Sequence, residues 1–357
     1  MFRMPWWSWV SPILAVFVLL TAIYAGIGVV VASAAGVVLI AAVFAAVYHA
    51  EVIAHRLGEP FGTLVLAVAV TVIEVALIVS VMVGAPSDKT GIARDTVFAA
   101  VMIVCNGIVG LCLLMGGVRH HEQGFQLQGA SAALAVLAAL TTLTLIVPNI
   151  TTSVPGPVFN SSQLIFAGVV SLLLYGSFVF IQTVRHRDYF LPVNAGDEDV
   201  HASPPSSGTA LVSTGLLLVA LIAVVGLAKT LTPSVEFAVS WLGTPKATVG
   251  IVIAMLVLLP EGLGALRAAY ANRLQTSLNL ALGSALASIG LTIPAVATVS
   301  IVLGQPLELG LESRDVVLLA LTLLISVITL GTGRTTILQG IVHLVVFAAF
   351  LFFTLVP

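Results

Sequence analysis

The sequence predicts an all-α polytopic membrane protein with about eleven transmembrane helices. Two observations carry this prediction. Of the 357 residues, 59% are hydrophobic and only 8% are charged, with a mean hydropathy of +1.18, whereas a soluble domain is about one quarter charged. The apolar stretches also recur along the chain from Trp9 to Val356, and a membrane-spanning helix needs about 20 mostly apolar residues.

The predicted spans are long and continuously apolar. They lack the alternation of apolar and polar residues that is typical of strands in a membrane barrel. No small-residue cleavage site follows the first apolar run, so we do not predict a cleaved signal peptide. The spans are placed at residues 8–25, 27–50, 60–84, 95–117, 129–147, 163–184, 209–230, 247–270, 277–303, 314–331 and 335–356.

A polar segment divides the chain into two halves. Residues 185–208 contain three consecutive acidic residues and then a Pro/Ser-rich run, which indicates an acidic, flexible cytoplasmic linker. An extra N-terminal helix at 1–26 and five spans at 27–184 precede this linker, and five spans at 209–357 follow it. Because five is odd, the second set enters the membrane from the opposite side, which predicts an inverted 5+5 repeat.

The basic residues predict the orientation, because cytoplasmic loops carry the excess of lysine and arginine. Eight of the thirteen basic residues fall on the N-terminal side: Arg3, Arg56, Arg119, Arg185, Arg187, Arg267, Arg273 and Arg334. Five fall on the other side: Lys89, Arg94, Lys229, Lys246 and Arg314. We therefore expect a multi-pass bacterial inner-membrane protein with a cytoplasmic N-terminus and a periplasmic C-terminus.

Two acidic residues lie deep inside predicted spans. Glu74 in the third span and Glu261 in the eighth each follow the start of their span by about 14 residues. A carboxylate at a helix centre costs about 2.5–3.5 kcal/mol on insertion scales, and a proton or a bound cation lowers that cost. A carboxyl group that can hold either a proton or a cation, but hardly both together, is the minimum requirement for cation/proton exchange. We predict that Glu74 and Glu261 bind a cation and protons in competition.

Polar side chains accompany these two glutamates. Thr71 shares a helix face with Glu74, and Ser284, Ser288 and Thr292 recur every four residues along the ninth span. Carboxylate, hydroxyl and carbonyl oxygens suit hard cations such as Ca²⁺. An alternative is that the serine stripe serves only close packing of helices. The predicted supporting ligands are Thr71, Asn106, Ser284 and Ser288.

Pro260 directly precedes Glu261 in the eighth span. Proline cannot donate a backbone hydrogen bond and frees a carbonyl one turn earlier, and transporters build ion sites from broken helices. We therefore expect a helix break beside Glu261, the alternative being a simple kink. A second alternative is that Glu261 pairs with Arg267, six residues further along the chain.

The histidines do not predict an enzyme. His49, Glu51 and His55 look like a zinc-protease motif, but the histidines are six residues apart and the glutamate is displaced from its position in His-Glu-x-x-His. We expect a solvated membrane boundary at this segment. His343 is the only histidine that we predict deep in a span, and the sequence offers it no obvious partner.

Six stretches of sequence carry a family resemblance: residues 58–64, 69–78, 95–98, 259–262, 279–290 and 330–336. They resemble the bacterial ChaA-type calcium/proton (sodium, potassium/proton) antiporters of the calcium:cation antiporter superfamily. The resemblance implies an inner-membrane protein with an inverted repeat, which exports Ca²⁺, Na⁺ or K⁺ in exchange for protons. It maps the paired acidic residues of the family onto Glu74 and Glu261, and a small hydroxyl residue onto Ser284. The asparagines that vacuolar-type relatives carry before each glutamate are missing here.

The sequence thus favours a secondary active antiporter that exports Ca²⁺, with Na⁺ and K⁺ as further candidates, by alternating access. We expect no enzymatic activity, no cofactor and no nucleic-acid partner. The expected partners are the transported ions and the lipid bilayer, and an oligomer is left open. One alternative is a cation channel, although the sequence shows no filter-like carbonyl loop or charged ring. The other is a non-transporting scaffold, which would leave both glutamates unexplained.

Overall fold

The computed structural model describes residues 4–58, 61–84, 90–191, 205–245 and 247–356. Ten helices in these ranges are long and apolar enough to cross a membrane, and α3 contributes an eleventh apolar stretch at Ala67–Ser80. The predicted all-α membrane fold is confirmed. The helices are α1 Trp6–Ala25, α2 Val29–Leu57, α3 Phe61–Gly84, α4 Ile92–His120, α5 Leu127–Asn149, α6 Ser161–Arg185, α7 Ser207–Trp241, α8 Ala247–Tyr270, α9 Leu274–Leu303, α10 Ser313–Leu330 and α11 Ile337–Leu355.

The largest boundary error concerns α7, whose span was predicted to end near Lys229. The helix instead continues to Trp241 and is 35 residues long. Lys229 is exposed on it, and a lysine stem can lie along apolar surface while its ammonium group reaches water. One lysine therefore does not end the helix, and α7 packs against both α1 and α2.

Helix α4 lies at the centre of the bundle and is the most completely buried of the spanning helices. Its middle, Ile103–Ile108, is a π-helical segment, and such wide turns often lie at functional sites. Gly110 allows α11 to pack closely, because a Cβ atom there would lie 3.1 Å from the Cβ of His343. Helix α4 also packs against α8 and α9, so it connects the helices around the candidate site.

Helix α1 covers α2 and α7, which also pack against each other. Under this cover His49 of α2 is fully buried, and its Nε2 lies 2.8 Å from the backbone oxygen of Ser8 in α1. The predicted solvated boundary is therefore wrong for His49, because the extra N-terminal helix shields it. The same prediction holds for His55, which is exposed near the end of α2.

The connections at one end of the bundle are packed against the helices. Arg187–Phe190 forms a 3-10 turn with a buried Phe190, so the chain stays packed beyond the predicted start of the linker. The three acidic residues of that linker lie outside the described residues. Two short strands, β1 Gln123–Gly124 and β2 Arg334–Thr335, pair antiparallel with Gln123 opposite Thr335. They join the segments that follow α4 and α10.

Candidate functional site

Glu74 is an almost completely buried carboxyl group in the middle of α3. It follows Phe61, the first residue of the helix, by 13 residues, and its side chain is 1% exposed. Neither of its carboxyl oxygens has a hydrogen-bond partner among the described residues. An ionised carboxylate without compensation is very costly to bury. The carboxyl group of Glu74 must therefore hold a proton or face a bound cation.

Hydroxyl groups surround Glu74 from two helices. Ser288 and Thr292 of α9 are one turn apart, are buried, and approach the carboxyl group closely enough to interact with it. Thr71 lies one turn before Glu74 on α3 and is also buried. The hydroxyls of Thr71 and Thr292 find no hydrogen-bond partner within the described ranges. Unpartnered buried polar atoms are uncommon in native proteins, and several around one carboxyl group mark a place where an ion or water fits.

Glu261 occupies the corresponding place on α8, 14 residues after Ala247. Its side chain is partly exposed, and its Oε2 atom lacks a hydrogen-bond partner in the described part of the chain. The predicted helix break is wrong, since α8 is continuous from Ala247 to Tyr270 with Pro260 inside it. Transmembrane helices tolerate proline because neighbouring groups satisfy the freed carbonyl. Arg267 is exposed near the end of α8, away from the buried Oε2 atom.

A cavity of about 250 Å³ reaches Glu261. Ser284 of α9 lines it together with Glu261, and Gln182, Thr276 and Asn279 supply further polar groups. These three lie at the end of the bundle where α6 and α8 end and α9 begins, which we call the arginine-rich end after Arg56, Arg119, Arg185, Arg267 and Arg273. The cavity therefore gives Glu261 access from this end, while Glu74 is not among its lining residues.

Glu74 and Glu51 of α2 both act electrostatically on Glu261. Two neighbouring carboxylates repel unless a cation or a proton compensates them. No group of three or more His, Cys, Asp or Glu side chains that could hold a metal is found in the described residues. The site therefore offers carboxylate and hydroxyl oxygens, as a transient site for a hard cation requires, and no cluster of histidine or cysteine.

Asn106, one of the predicted ligands, is bonded to side chains of two other helices. Its side-chain amide donates to the hydroxyl of Thr322 on α10 at 2.9 Å, and its Oδ1 atom lies 3.2 Å from Nδ1 of His343 on α11. All three side chains are fully buried. His343 thus has a partner, contrary to the expectation from sequence, and the amide of Asn106 is already occupied by structural contacts.

Some site residues were not predicted as ligands. Thr292 was recognised only as part of the polar stripe on α9, and its approach to Glu74 depends on how α3 and α9 pack. Tyr175 and Gln182 line the cavity from α6. Their spacing of seven residues puts them on one helix face. This spacing is the only feature of the sequence that could have predicted that both residues line the cavity.

Comparison with known proteins identifies a family, related sequences and related folds. The family described as "Sodium/calcium exchanger protein" matches residues 13–184 and 212–356. The putative ionic transporter y4hA of Sinorhizobium fredii is 51% identical over 363 residues, covering 99% of this chain and 97% of the relative. The sodium-potassium/proton antiporter ChaA of Escherichia coli is 36% identical over 316 residues, covering 88% and 85%. Among solved structures, native YfkE matches with a TM-score of 0.76 at 17% identity, covering 98% of this chain and 100% of that one. The H⁺/Ca²⁺ exchanger CAX matches with a TM-score of 0.74 at 15% identity, covering 97% and 87%.

Proposed function

The chain belongs to the sodium/calcium exchanger protein family, and we propose that it is a secondary active cation/proton antiporter. The observation that carries the proposal is the unpartnered carboxyl group of Glu74, buried beside the hydroxyls of Ser288 and Thr292. This group needs a proton or a cation, and a partly exposed second carboxyl group, Glu261, lies within electrostatic reach. A structural scaffold has no use for either arrangement.

Transport follows from competition at these two carboxyl groups. When Glu74 and Glu261 are ionised, their combined charge of about −2 attracts a cation that Thr71, Ser284 and Ser288 help to coordinate. Protons arriving from the opposite side neutralise the carboxylates and release the cation. Because two protons or one divalent cation neutralise the site, both of these loaded forms can change access across the membrane, whereas the empty ionised form carries an uncompensated buried charge.

We propose Ca²⁺ as the exported ion, with Na⁺ and K⁺ as further substrates. Two carboxylates match the charge of one divalent ion, and hydroxyl oxygens are ligands for hard cations. The amide of Asn106 is engaged with Thr322 and His343, so the first half supplies fewer oxygens than expected from sequence. A sparse ligand set leaves room for monovalent ions, in keeping with the sodium-potassium/proton exchange in the name of one relative.

We further propose that 27–184 and 209–357 are inverted repeats and that 1–26 lies outside them. Arg56, near the end of α2, donates to the Pro205 carbonyl and the Ser207 hydroxyl, where α7 begins. Helix α3 therefore starts at the end of the bundle where α7 starts, whereas α8 starts at the opposite end. The helices that carry Glu74 and Glu261 thus run in opposite directions, as an inverted repeat requires.

The arginine-rich end is proposed to face the cytoplasm of a bacterial inner membrane, following the bias of basic residues. The N-terminus would then be cytoplasmic and the C-terminus periplasmic. In this arrangement the cavity at Glu261 opens inward, so the protein is in a state that accepts cations from the cytoplasm. The described ends of the proposed linker, 185–191 and 205–208, would then lie on the same side.

Cation-triggered proton release from everted membrane vesicles tests the proposed function. Respiration acidifies the vesicles, and Ca²⁺, Na⁺ or K⁺ is then added in turn. We expect wild type to release protons and Glu261→Gln to fail, because an amide cannot exchange a proton for a cation. Glu122→Gln, which changes an exposed carboxylate beside Arg334, is the matched control and should behave as wild type.

The outcomes separate the function from the site. If wild type releases no protons on addition of any cation, the antiporter proposal fails and the alternative of a non-transporting scaffold is favoured. If Glu261→Gln exchanges as well as wild type, the site is wrong although the function stands. If cations move without proton counterflow, the protein behaves as a channel.

A further inference from the structure

Glu51 is an acidic residue of α2 that the proposed cation site does not include. It lies six residues before Leu57, the last residue of the helix, and its side chain is exposed. A carboxylate that faced lipid would be costly, so its open face is turned to water.

Three carboxyl groups lie at increasing depth from the arginine-rich end. Measured along their own helices, at about 1.5 Å per residue, Glu51 lies about 9 Å from the end of α2, Glu261 about 14 Å from the end of α8, and Glu74 about 20 Å from the start of α3. Exposure falls in the same order, from the exposed Glu51 through the partly exposed Glu261 to Glu74 at 1%. Helix α2 packs against both α3 and α8, so the three groups lie on adjoining helices.

The charge of Glu51 reaches the site. Glu51 acts electrostatically on Glu261, as Glu74 does. The nearby titratable groups are His55, one turn further along α2, and Tyr48. Arg56 is turned to the Pro205 carbonyl and the Ser207 hydroxyl at the start of α7. Within the described part of the chain Glu51 has no ion-pair partner, so its negative charge is available to an approaching cation.

We propose that Glu51 is an access carboxylate, which draws a hard cation from water at the arginine-rich end toward Glu261. The proposal rests on the cation/proton exchange proposed above. Its physical role is to offset the basic residues at this end, which would otherwise repel the ion that the site must accept. Glu51 does not line the cavity that reaches Glu261, so it acts through its field and its exposed carboxylate and is not a ligand of the bound ion.

Initial rates of exchange in everted vesicles, measured against Ca²⁺ concentration, test this role with Glu51→Gln and Glu51→Asp. Asp188→Asn is the matched control, because it removes an exposed negative charge at the same end of the bundle. We expect Glu51→Gln to raise the half-saturating Ca²⁺ concentration about three- to tenfold at low salt, with a nearly unchanged maximal rate. Glu51→Asp and Asp188→Asn should stay close to wild type.

Salt dependence distinguishes a field from a structural effect. Because the Debye length falls to about 3 Å at 1 M salt, the difference between wild type and Glu51→Gln should shrink as inert salt is added. Equal half-saturating concentrations at low salt would show that Glu51 is only a solvated boundary residue and would overturn the proposal. A lower maximal rate with unchanged half-saturation would overturn it as well, since that places Glu51 in a conformational step. If the wild-type protein shows no exchange at all, the proposed function, on which this inference rests, is itself wrong.

Discussion

Replacing Thr292 with valine tests whether the Thr292 hydroxyl takes part in cation binding or serves only the packing of helices. Thr292 is fully buried, lies beside Glu74, and its hydroxyl has no hydrogen-bond partner in the described ranges. Several other buried threonines donate to the carbonyl four residues earlier, as Thr322 does to Leu318 at 2.7 Å. Thr292 forgoes that bond, so its hydroxyl is free to turn to the carboxyl group or to a bound cation.

The Thr292→Val protein should become more stable and transport less well. Valine fills nearly the same volume, and removing an unsatisfied buried hydroxyl recovers part of a desolvation cost of about 1–3 kcal/mol. Losing a hydroxyl that serves a charged group weakens cation binding by about 1.5–3 kcal/mol, or about 10- to 150-fold. We therefore expect an unchanged or raised melting temperature without cation, and a higher half-saturating Ca²⁺ concentration.

Thermal unfolding in detergent and vesicle exchange measure the two effects separately. Thr322→Val is the matched control, because its hydroxyl accepts a hydrogen bond from Asn106 at 2.9 Å, and its loss should lower the melting temperature. The reasoning about Thr292 is refuted if Thr292→Val leaves the half-saturating concentration unchanged. It is refuted equally if stability and exchange decline together, since that pattern indicates a packing residue.

Three further predictions concern access and packing. Ser284→Cys should react with a membrane-impermeant thiol reagent added to everted vesicles but not with the same reagent added to intact cells, because Ser284 lines the cavity at the arginine-rich end and both native cysteines are buried. The reverse pattern of labelling would show that the protein has the opposite orientation in the membrane. Gly340→Ala should lower the melting temperature of the protein by an amount corresponding to about 1–3 kcal/mol, because the added Cβ atom would lie 2.5 Å from a backbone nitrogen of α4. Gly36→Ala is the control and should leave the melting temperature unchanged, because the space around Gly36 is open. Asn106→Ala should destabilise the protein by about 1–3 kcal/mol, because His343 loses its partner, while the ratio of Ca²⁺ to Na⁺ exchange should stay at the wild-type value. A changed ratio would indicate that Asn106 contributes to the cation site.

The fold could be predicted because each span is encoded locally. A run such as the one around Glu74 is apolar over more than twenty residues, and nothing else in the chain has to be known to place it in a membrane. The error at α7 has the same origin, since Lys229 looks like a boundary until the packing of the helix against α2 is known. Length and hydropathy fix which segments span, but neighbouring helices determine where each one stops.

The site could be predicted only in part, because its members face one another across helix interfaces. Glu74 and Glu261 could be proposed from the sequence because an acidic residue within an apolar span is conspicuous on its own. The contacts of Asn106 could not be predicted, because its partners, Thr322 and His343, are more than 200 residues away and no periodicity links them. The wide π turn at Ile103–Ile108 is likewise a feature of packing, and helical spacing alone does not predict where it points a side chain.

The two glutamates are symmetric in sequence and unequal in the structure, and that inequality is what exchange requires. Glu261 is reached by a cavity from the arginine-rich end, while Glu74 is closed off at 1% exposure. An ion entering from this end must meet Glu261 first, and only a further change of the structure can expose Glu74 to the opposite side. If both carboxyl groups were open to one side, a proton and a cation could pass each other without coupling. One open and one closed group enforce an order of binding, and the inverted directions of α3 and α8 allow the two groups to exchange these roles when access is reversed.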